Sequence, residues 1–154
     1  MPSAWRIVKA RFAATAFDGE GARLNGGRWN SVGVRVVYVS DSQALAALET
    51  IVHLNPPVAI KYVAIPVQFD AALVGVFPHK HLPAGWQSEP PPPFTQQIGN
   101  EWVQSARSAL LAMPSILVAK HAGTNFLINQ GHPDFGKIKI GKPEPFTFDS
   151  RLIP

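Results

Sequence analysis

The chain has 154 residues, of which 46% are hydrophobic, and this length and composition predict a single compact domain over residues 1–154. It has no cysteine, which excludes disulfide scaffolds, thiolate zinc sites and cysteine nucleophiles. Its formal net charge of +4 favours an anionic ligand such as a nucleotide, a nucleic acid or an acidic protein. The Lys and Arg residues are scattered rather than gathered into a basic run, so direct binding of nucleic acid is not expected.

The hydropathy pattern gives no sign of a membrane protein. No stretch approaches the roughly 18 to 20 apolar residues that a membrane span needs. The N-terminal segment Met-Pro-Ser-Ala-Trp-Arg lacks the apolar core of a signal peptide. We therefore expect a cytoplasmic protein that does not bind membranes.

The first part of the chain predicts two strands separated by a long loop. Residues 5–9 are expected to form a short strand, and the β-branched run at residues 34–39 a buried one. Between them, residues 18–33 are rich in Gly, Asn and Arg. Glycines permit positive φ and a close approach of the backbone to a ligand, and loops of this length are usually functional or disordered.

A helix and another strand are predicted next. Ser40 is expected to cap the helix, with Gln43 in the capping-box position, and an Asn-Pro-Pro run should end it at about residue 54. Residues 60–68 predict a strand, in which Pro66 indicates an edge position or a bulge.

The C-terminal half predicts a helix and several short strands. Residues 79–94 are irregular and proline-rich, and apolar residues at three- and four-residue spacing predict a helix over residues 95–113. Short strands are expected at residues 116–119, 138–140 and 146–148. The fold class is therefore α+β, with a small mixed or antiparallel sheet.

Glu49 is the most informative single position. It falls within the apolar stripe that Leu45, Leu48 and Val52 form on the predicted helix, so its carboxylate should point inward. A buried carboxylate requires a cation, strong donors or a pocket, and His53 lies one turn further along the same face. The alternatives are a Glu at the rim of the stripe and a buried Glu–Arg pair. The spacing does not fit a zincin motif, and no metal site is expected.

Two arginines are candidates for holding an anion. Arg28 follows two glycines in the segment GGRWN, where the backbone can turn tightly and the guanidinium can grip a phosphate or carboxylate with two hydrogen bonds. Arg6 lies inside the apolar first strand and needs an anion in the same way. The alternatives are a surface arginine for Arg28 and a structural ion pair, for instance with Glu49, for Arg6.

The remaining polar residues of interest are a tyrosine, a serine and three loop histidines. Tyr38 offers a ring face and a hydroxyl from a buried strand, although a core tyrosine has the same pattern. Ser115 follows Pro114 and can donate a hydrogen bond from a fixed turn. The loop histidines are expected to be solvated surface residues: His79, His81 and His132.

Taken in order, seven segments of the chain resemble the RES domain, a family named after an arginine, a glutamate and a serine. The segments are WRIV, GGRWN, VVYVS, ALAALETIVH, PSILV, NFLIN and FTFDSRL. The resemblance covers nearly the whole chain. It implies a fold similar to that of ADP-ribosyltransferases, with NAD as the substrate rather than as a cofactor.

The resemblance also implies an active site. The residues that fall on the family's pattern are Arg6, Arg28, Tyr38, Glu49 and Ser115, with His53 and Asn125 as neighbours. Glu49, Arg6, Arg28 and Tyr38 are the implied catalytic residues. The implied NAD-binding residues are Arg6, Arg28, Tyr38, Ser115, His53 and Asn125.

Cleavage of NAD passes through a ribose that resembles an oxocarbenium ion, and a fixed carboxylate such as Glu49 lowers the energy of that positive charge. The resemblance implies a toxin that depletes NAD by hydrolysis or phosphorolysis. Its implied partner is a separate antitoxin of the Xre type, which contains a helix-turn-helix. We expect a homo-oligomer or a hetero-oligomer with that antitoxin.

Three other functions stay open at this stage. The nearest is transfer of ADP-ribose to a host protein, which needs the same NAD pocket and differs in the acceptor. A nucleic-acid-binding module or RNA-cleaving toxin is a different class, and the scattered charge argues against it. A third possibility is an interaction domain without catalytic activity.

Overall fold

The computed structural model describes residues 1–53 and 60–152. The strands are β1 Ser3–Lys9, β2 Val37–Ser40, β3 Tyr62–Gln68, β4 Val74–Val76, β5 Leu110–Pro114, β6 Thr124–Ile128, β7 Lys139–Ile140 and β8 Glu144–Phe146. The α-helices are α1 Glu20–Asn25, α2 Gln43–Ile51 and α3 Pro93–Ser105. Short 3-10 turns connect several of these elements.

The eight strands form one mixed sheet. Its order is β4-β5-β6-β2-β1-β3-β7, and β8 also pairs with β3. β4 and β5 are parallel, and the other pairs are antiparallel. The predicted α+β class with a mixed sheet is confirmed.

The two longer helices cover the same face of the sheet. Ile7 of β1 packs against Ala46 of α2, and Leu111 of β5 packs against Trp102 of α3. Side chains alternate along a strand, so neighbours such as Ala4 point to the opposite face. There Ala4 joins a second core cluster, which irregular segments cover with side chains such as Phe17. On this face, α2 and α3 therefore lie on either side of β2 and β6.

Helix α2 begins later than the sequence predicted. Its N-cap is Ser42, whose side chain accepts a hydrogen bond from the Leu45 N–H at 3.0 Å. The prediction that Ser40 caps the helix was wrong, because Ser40 is the last residue of β2 and is buried. The helix ends at Ile51, and the predicted end at residue 54 lies outside the described residues.

The buried stripe of α2 also differs from the predicted one. Leu45 and Ala46 are buried, whereas Leu48 is 41% exposed and Val52 is 54% exposed. The helix therefore faces the sheet along Leu45 and Ala46, and the predicted stripe through Leu48 and Val52 was wrong. Glu49, one turn after Leu45, is half-buried, as its inward orientation requires.

The predicted helix over residues 95–113 was wrong in its second half. α3 ends at Ser105, because Ala106 adopts the left-handed conformation with φ 51°. Residues 110–114 form β5, which lies between β4 and β6 and is mostly buried. No strand forms at residues 116–119, and the next strand is β6.

Pro66 was predicted to mark an edge or a bulge, but it lies in an inner strand whose register with β1 runs through it unbroken. β3 pairs with β1 on one side, and with β8 and then β7 on the other. The Pro66 carbonyl accepts from the Gly141 N–H at 2.7 Å on that outer side. The missing N–H of proline points the same way, which explains why the outer partner is interrupted between β8 and β7.

A close contact with α3 positions the loop that carries GGRWN. A Cβ placed on Gly99 would lie 1.6 Å from the Trp29 carbonyl oxygen, so only glycine fits there. Gln96 donates to the Gly27 carbonyl at 3.1 Å, and Asn100 accepts from the Ser31 N–H at 3.0 Å. The helix thus holds both ends of this segment against the sheet.

No helix in the described part of the chain is long and apolar enough to cross a membrane.

Candidate active site

The Glu49 carboxylate lies at the centre of a small network of hydrogen bonds. Its Oε1 accepts from the Ser115 hydroxyl at 2.7 Å and from the Asn125 side-chain N–H at 2.7 Å. Both donors reach the same oxygen. Within residues 1–53 and 60–152, Oε2 has no hydrogen-bond partner, and it is not among the buried unpaired atoms. One carboxylate oxygen is therefore fixed, and the other is accessible to a ligand.

Three neighbouring strands position the hydrogen-bond network around Glu49. Ser115 directly follows β5, Asn125 belongs to β6, and Ser40 ends β2. Asn125 faces Ser40 in one ladder and Met113 in the other, so the side chains share a face of the sheet. The Ser40 hydroxyl donates to Asn125 Oδ1 at 2.7 Å. The sheet thus positions the polar groups, and α2 brings the carboxylate to them.

Arg28 connects the GGRWN segment to residues 83–92. It donates to the carbonyls of Trp86 at 2.7 Å and Ser88 at 2.9 Å, and it forms an ion pair with Glu89. Burial lowers the pKa of Arg28 below its usual value, and the nearby charge of Glu49 opposes this shift. Arg28 and Glu49 therefore belong to one electrostatic environment.

Tyr38 holds the GGRWN segment through two hydrogen bonds of its hydroxyl. Its hydroxyl donates to Asn30 Oδ1 at 2.5 Å and accepts from the Trp29 N–H at 3.2 Å. Burial raises the pKa of Tyr38, so the hydroxyl stays protonated well beyond neutral pH. A Cβ on Gly27 would lie 2.8 Å from the hydroxyl oxygen. The second glycine of GGRWN is therefore required by the close approach of this tyrosine.

Asn30 is a structural centre that the sequence analysis did not single out. It is fully buried, and its side-chain N–H groups donate to the carbonyls of Ala22, Ser31 and Val34. Its oxygen accepts from Tyr38. The signal was its place in the GGRWN segment, but only the folded loop reveals which carbonyls it satisfies.

Arg6 is not brought next to Glu49. It alternates with Ile7, so its side chain leaves the face of the sheet opposite α2. There it donates to the carbonyls of Ala16 at 2.6 Å and Tyr38 at 3.0 Å. Burial lowers the pKa of Arg6 to about 10, and the charge of Asp18 opposes this shift. The ion pair with Glu49 considered above is not formed.

His53 is also separate from the network. It is exposed, and no hydrogen bond joins its side chain to Glu49. His79 and His81 are exposed, as predicted. His132 differs from the prediction, because its ring nitrogens contact the Ala106 carbonyl at 2.9 Å and the Asp134 N–H at 2.9 Å. It supports the end of α3 rather than being a free surface residue.

No group of three or more His, Asp or Glu side chains that could hold a metal ion occurs in the described ranges. A cavity of about 420 Å³ lies between β4 and α3. Its walls include Phe77, Trp102 and Arg107 but no carboxylate and none of the candidate residues. The chemical groups therefore single out the region around Glu49, and the volume alone does not.

Comparison with known proteins identifies the family of this chain. A protein-family model described as the RES domain matches residues 3–149. A protein of Sphingobium sp. (strain YBL2) named Prs ADP-ribosylating toxin is 43% identical over 157 residues, covering 98% of this chain and 96% of that protein. Toxin Res of Yersinia enterocolitica (serotype O:8 / biotype 1B) is 34% identical over 150 residues, covering 96% and 97%.

The fold is also found in a solved structure, that of the M. tuberculosis MbcT–MbcA toxin–antitoxin complex. The TM-score is 0.70 at 17% sequence identity, and the match covers 94% of this chain and 84% of that one. This likeness concerns the fold. The match over residues 3–149 and the two relatives named as toxins establish that the chain belongs to the RES domain family.

Proposed function

We propose that this protein is the toxin of a toxin–antitoxin pair, and that it consumes NAD by breaking the bond between nicotinamide and ribose. The observation that carries this proposal is the Glu49 carboxylate, which has one oxygen fixed by Ser115 and Asn125 and the other free for a ligand. A preorganised negative charge of this kind stabilises positive charge that develops in a transition state.

Cleavage of this bond mainly requires a negative charge close to the ribose. When the bond between C1′ of the ribose and the ring nitrogen breaks, nicotinamide leaves with the electron pair and loses its positive charge. The positive charge then develops on C1′ and the ring oxygen, where Glu49 lowers its energy. The free Oε2 can also accept a hydrogen bond from a ribose hydroxyl. An acceptor oxygen then bonds to C1′ and releases its proton.

Arg28 is the candidate for holding the pyrophosphate. Its guanidinium already binds a carboxylate, that of Glu89, whose side chain is 64% exposed. An exposed carboxylate can turn into water at little cost, so a phosphate can replace it as the anion on Arg28. Arg6 is the weaker candidate, because backbone carbonyls on the other face of the sheet take its N–H groups.

The first test is NAD consumption by purified protein, with and without inorganic phosphate. We expect Glu49→Gln to lower the rate by about a hundredfold or more, since it removes the charge but keeps the shape. Glu101→Gln is the matched control, because Glu101 is an exposed residue of α3. A Glu49→Gln variant that folds normally and consumes NAD at the wild-type rate would exclude this role.

A protein acceptor is the second candidate, and the name of the Sphingobium relative, an ADP-ribosylating toxin, favours it. Both reactions break the same bond and need the same carboxylate. Mass spectrometry of a lysate treated with the protein and NAD separates them. Free ADP-ribose or its phosphate indicates degradation of NAD, whereas a protein that gains an ADP-ribosyl group indicates transfer.

The proposed partner is an antitoxin of the Xre type, and the fold that this chain shares with one chain of a toxin–antitoxin complex is consistent with such a partner. Expression of the wild-type chain alone should arrest bacterial growth, and co-expression with the antitoxin should relieve the arrest. Growth arrest that persists in the Glu49→Gln variant would contradict the link between toxicity and this site.

A further inference from the structure

Ser40 is connected to the Glu49 carboxylate through one intervening side chain, that of Asn125. Its hydroxyl donates to Asn125 Oδ1 at 2.7 Å, and the Asn125 side-chain N–H donates to Glu49 Oε1 at 2.7 Å. Ser40 is directly opposite Asn125 in the ladder between β2 and β6, so the two side chains meet on one face. Ser40 is only 4% exposed, which means that bulk water is poorly placed to replace its hydrogen bond.

The carboxylate sets the direction of these hydrogen bonds. An ionised carboxylate accepts but does not donate, so Asn125 must turn its NH2 group to Glu49 and its oxygen to Ser40. Ser115 donates to the same carboxylate oxygen, while its own oxygen accepts from the Leu117 N–H at 3.1 Å. The donors therefore converge on Glu49, an arrangement that suits a negative charge.

We propose that Ser40 is a positioning residue for the reaction at Glu49. This inference rests on the function proposed above for that carboxylate. The Ser40 hydroxyl locks the Asn125 amide, and the locked amide holds Oε1 so that Oε2 faces the substrate. Without the hydroxyl, a half-buried amide oxygen loses its donor, and the amide gains freedom to rotate about its terminal torsion.

The kinetic test compares Ser40→Ala with the wild type in NAD consumption. We expect kcat to fall roughly three- to tenfold, as for the loss of one hydrogen bond, with KM within about twofold of wild type. Ser40→Thr keeps the hydroxyl and should restore part of the rate. The matched control is Ser108→Ala, which removes a hydroxyl bonded to Trp102 and to the Leu110 carbonyl. Equal losses of kcat in both alanine variants would overturn the proposal.

A second measurement does not depend on activity. The side-chain amide protons of Asn125 are observed by NMR, and we expect their exchange with water to be at least about threefold faster in Ser40→Ala. The amide of Asn129, which donates to the Val103 carbonyl at 3.2 Å, is the internal control. Unchanged exchange at Asn125 overturns the role of Ser40. Failure of the wild type to consume NAD refutes the proposed function instead. In that case the exchange rate of the Asn125 amide protons still decides whether Ser40 positions this amide.

Discussion

Replacement of Gly99 by alanine is expected to separate α3 from the GGRWN segment. The new Cβ would lie 1.6 Å from the Trp29 carbonyl oxygen, whereas real contacts of this kind stay beyond 3.0 Å. The helix and the segment must therefore move apart by about 1.4 Å. A shift of this size breaks the hydrogen bonds that Gln96 and Asn100 make to the segment, which are 2.8 to 3.1 Å long.

The expected loss of stability follows from these contacts. Three broken hydrogen bonds cost about 3 kcal/mol, overpacking adds about 1 to 3 kcal/mol, and the better helix propensity of alanine returns about 1 kcal/mol. The net loss of about 3 to 5 kcal/mol should lower Tm by roughly 10 °C in a chain of this size.

The assay is thermal unfolding followed by circular dichroism, with Gly21→Ala as the matched control. Gly21 lies in α1 with no atom within 4 Å of an added Cβ, so alanine there should be neutral or stabilising. NAD consumption by Gly99→Ala should fall as well, because the displaced segment carries Arg28. A Gly99→Ala variant with the Tm of the wild type would refute the reasoning.

Two further substitutions test the same segment. Tyr38→Phe leaves Asn30 Oδ1 and the Trp29 N–H without their partner, which should cost about 1 to 3 kcal/mol in denaturant unfolding. Burial raises the pKa of Tyr38 in the folded state, so the tyrosine of the unfolded chain loses its proton at a lower pH. The free energy of unfolding therefore falls as the pH rises above about 10. The advantage of wild type over Tyr38→Phe should therefore shrink as the pH rises above about 10, and a constant difference there contradicts the assignment. Arg28→Lys keeps the charge but cannot bind the Trp86 and Ser88 carbonyls and Glu89 together, so KM for NAD should rise, and an unchanged KM would exclude Arg28 from binding.

The sequence predicted the part of the site that depends on local pattern. The inward orientation of Glu49 follows from its spacing to Leu45, and the resemblance to the RES domain supplied Ser115 and Asn125. The prediction that Ser40 caps α2 was wrong, and the hydrogen-bond partner of Ser40 depends on strand pairing. Its partner Asn125 is 85 residues away, and only the ladder between β2 and β6 makes them neighbours.

The errors in the fold have physical causes. The run from Leu110 to Met113 is apolar at every position, so it fits a buried strand as well as the end of a helix. The helix ends at Ser105 because Ala106 is left-handed, and no glycine marks this position. Leu48 and Val52 fit an apolar stripe by spacing, but the sheet contacts the neighbouring face of α2, where Ala46 is small enough to approach β1 closely.

The interruption opposite Pro66 limits how the border of the sheet can pair with another chain. Open rows of unpaired backbone groups at the border of a sheet recruit other chains and promote aggregation. Here the borders of the described sheet are three residues long at β4, and two and three residues long at β7 and β8. Both borders of the described sheet are therefore short, and Pro66 interrupts the outer neighbour of β3, so these borders offer little template for pairing with another chain.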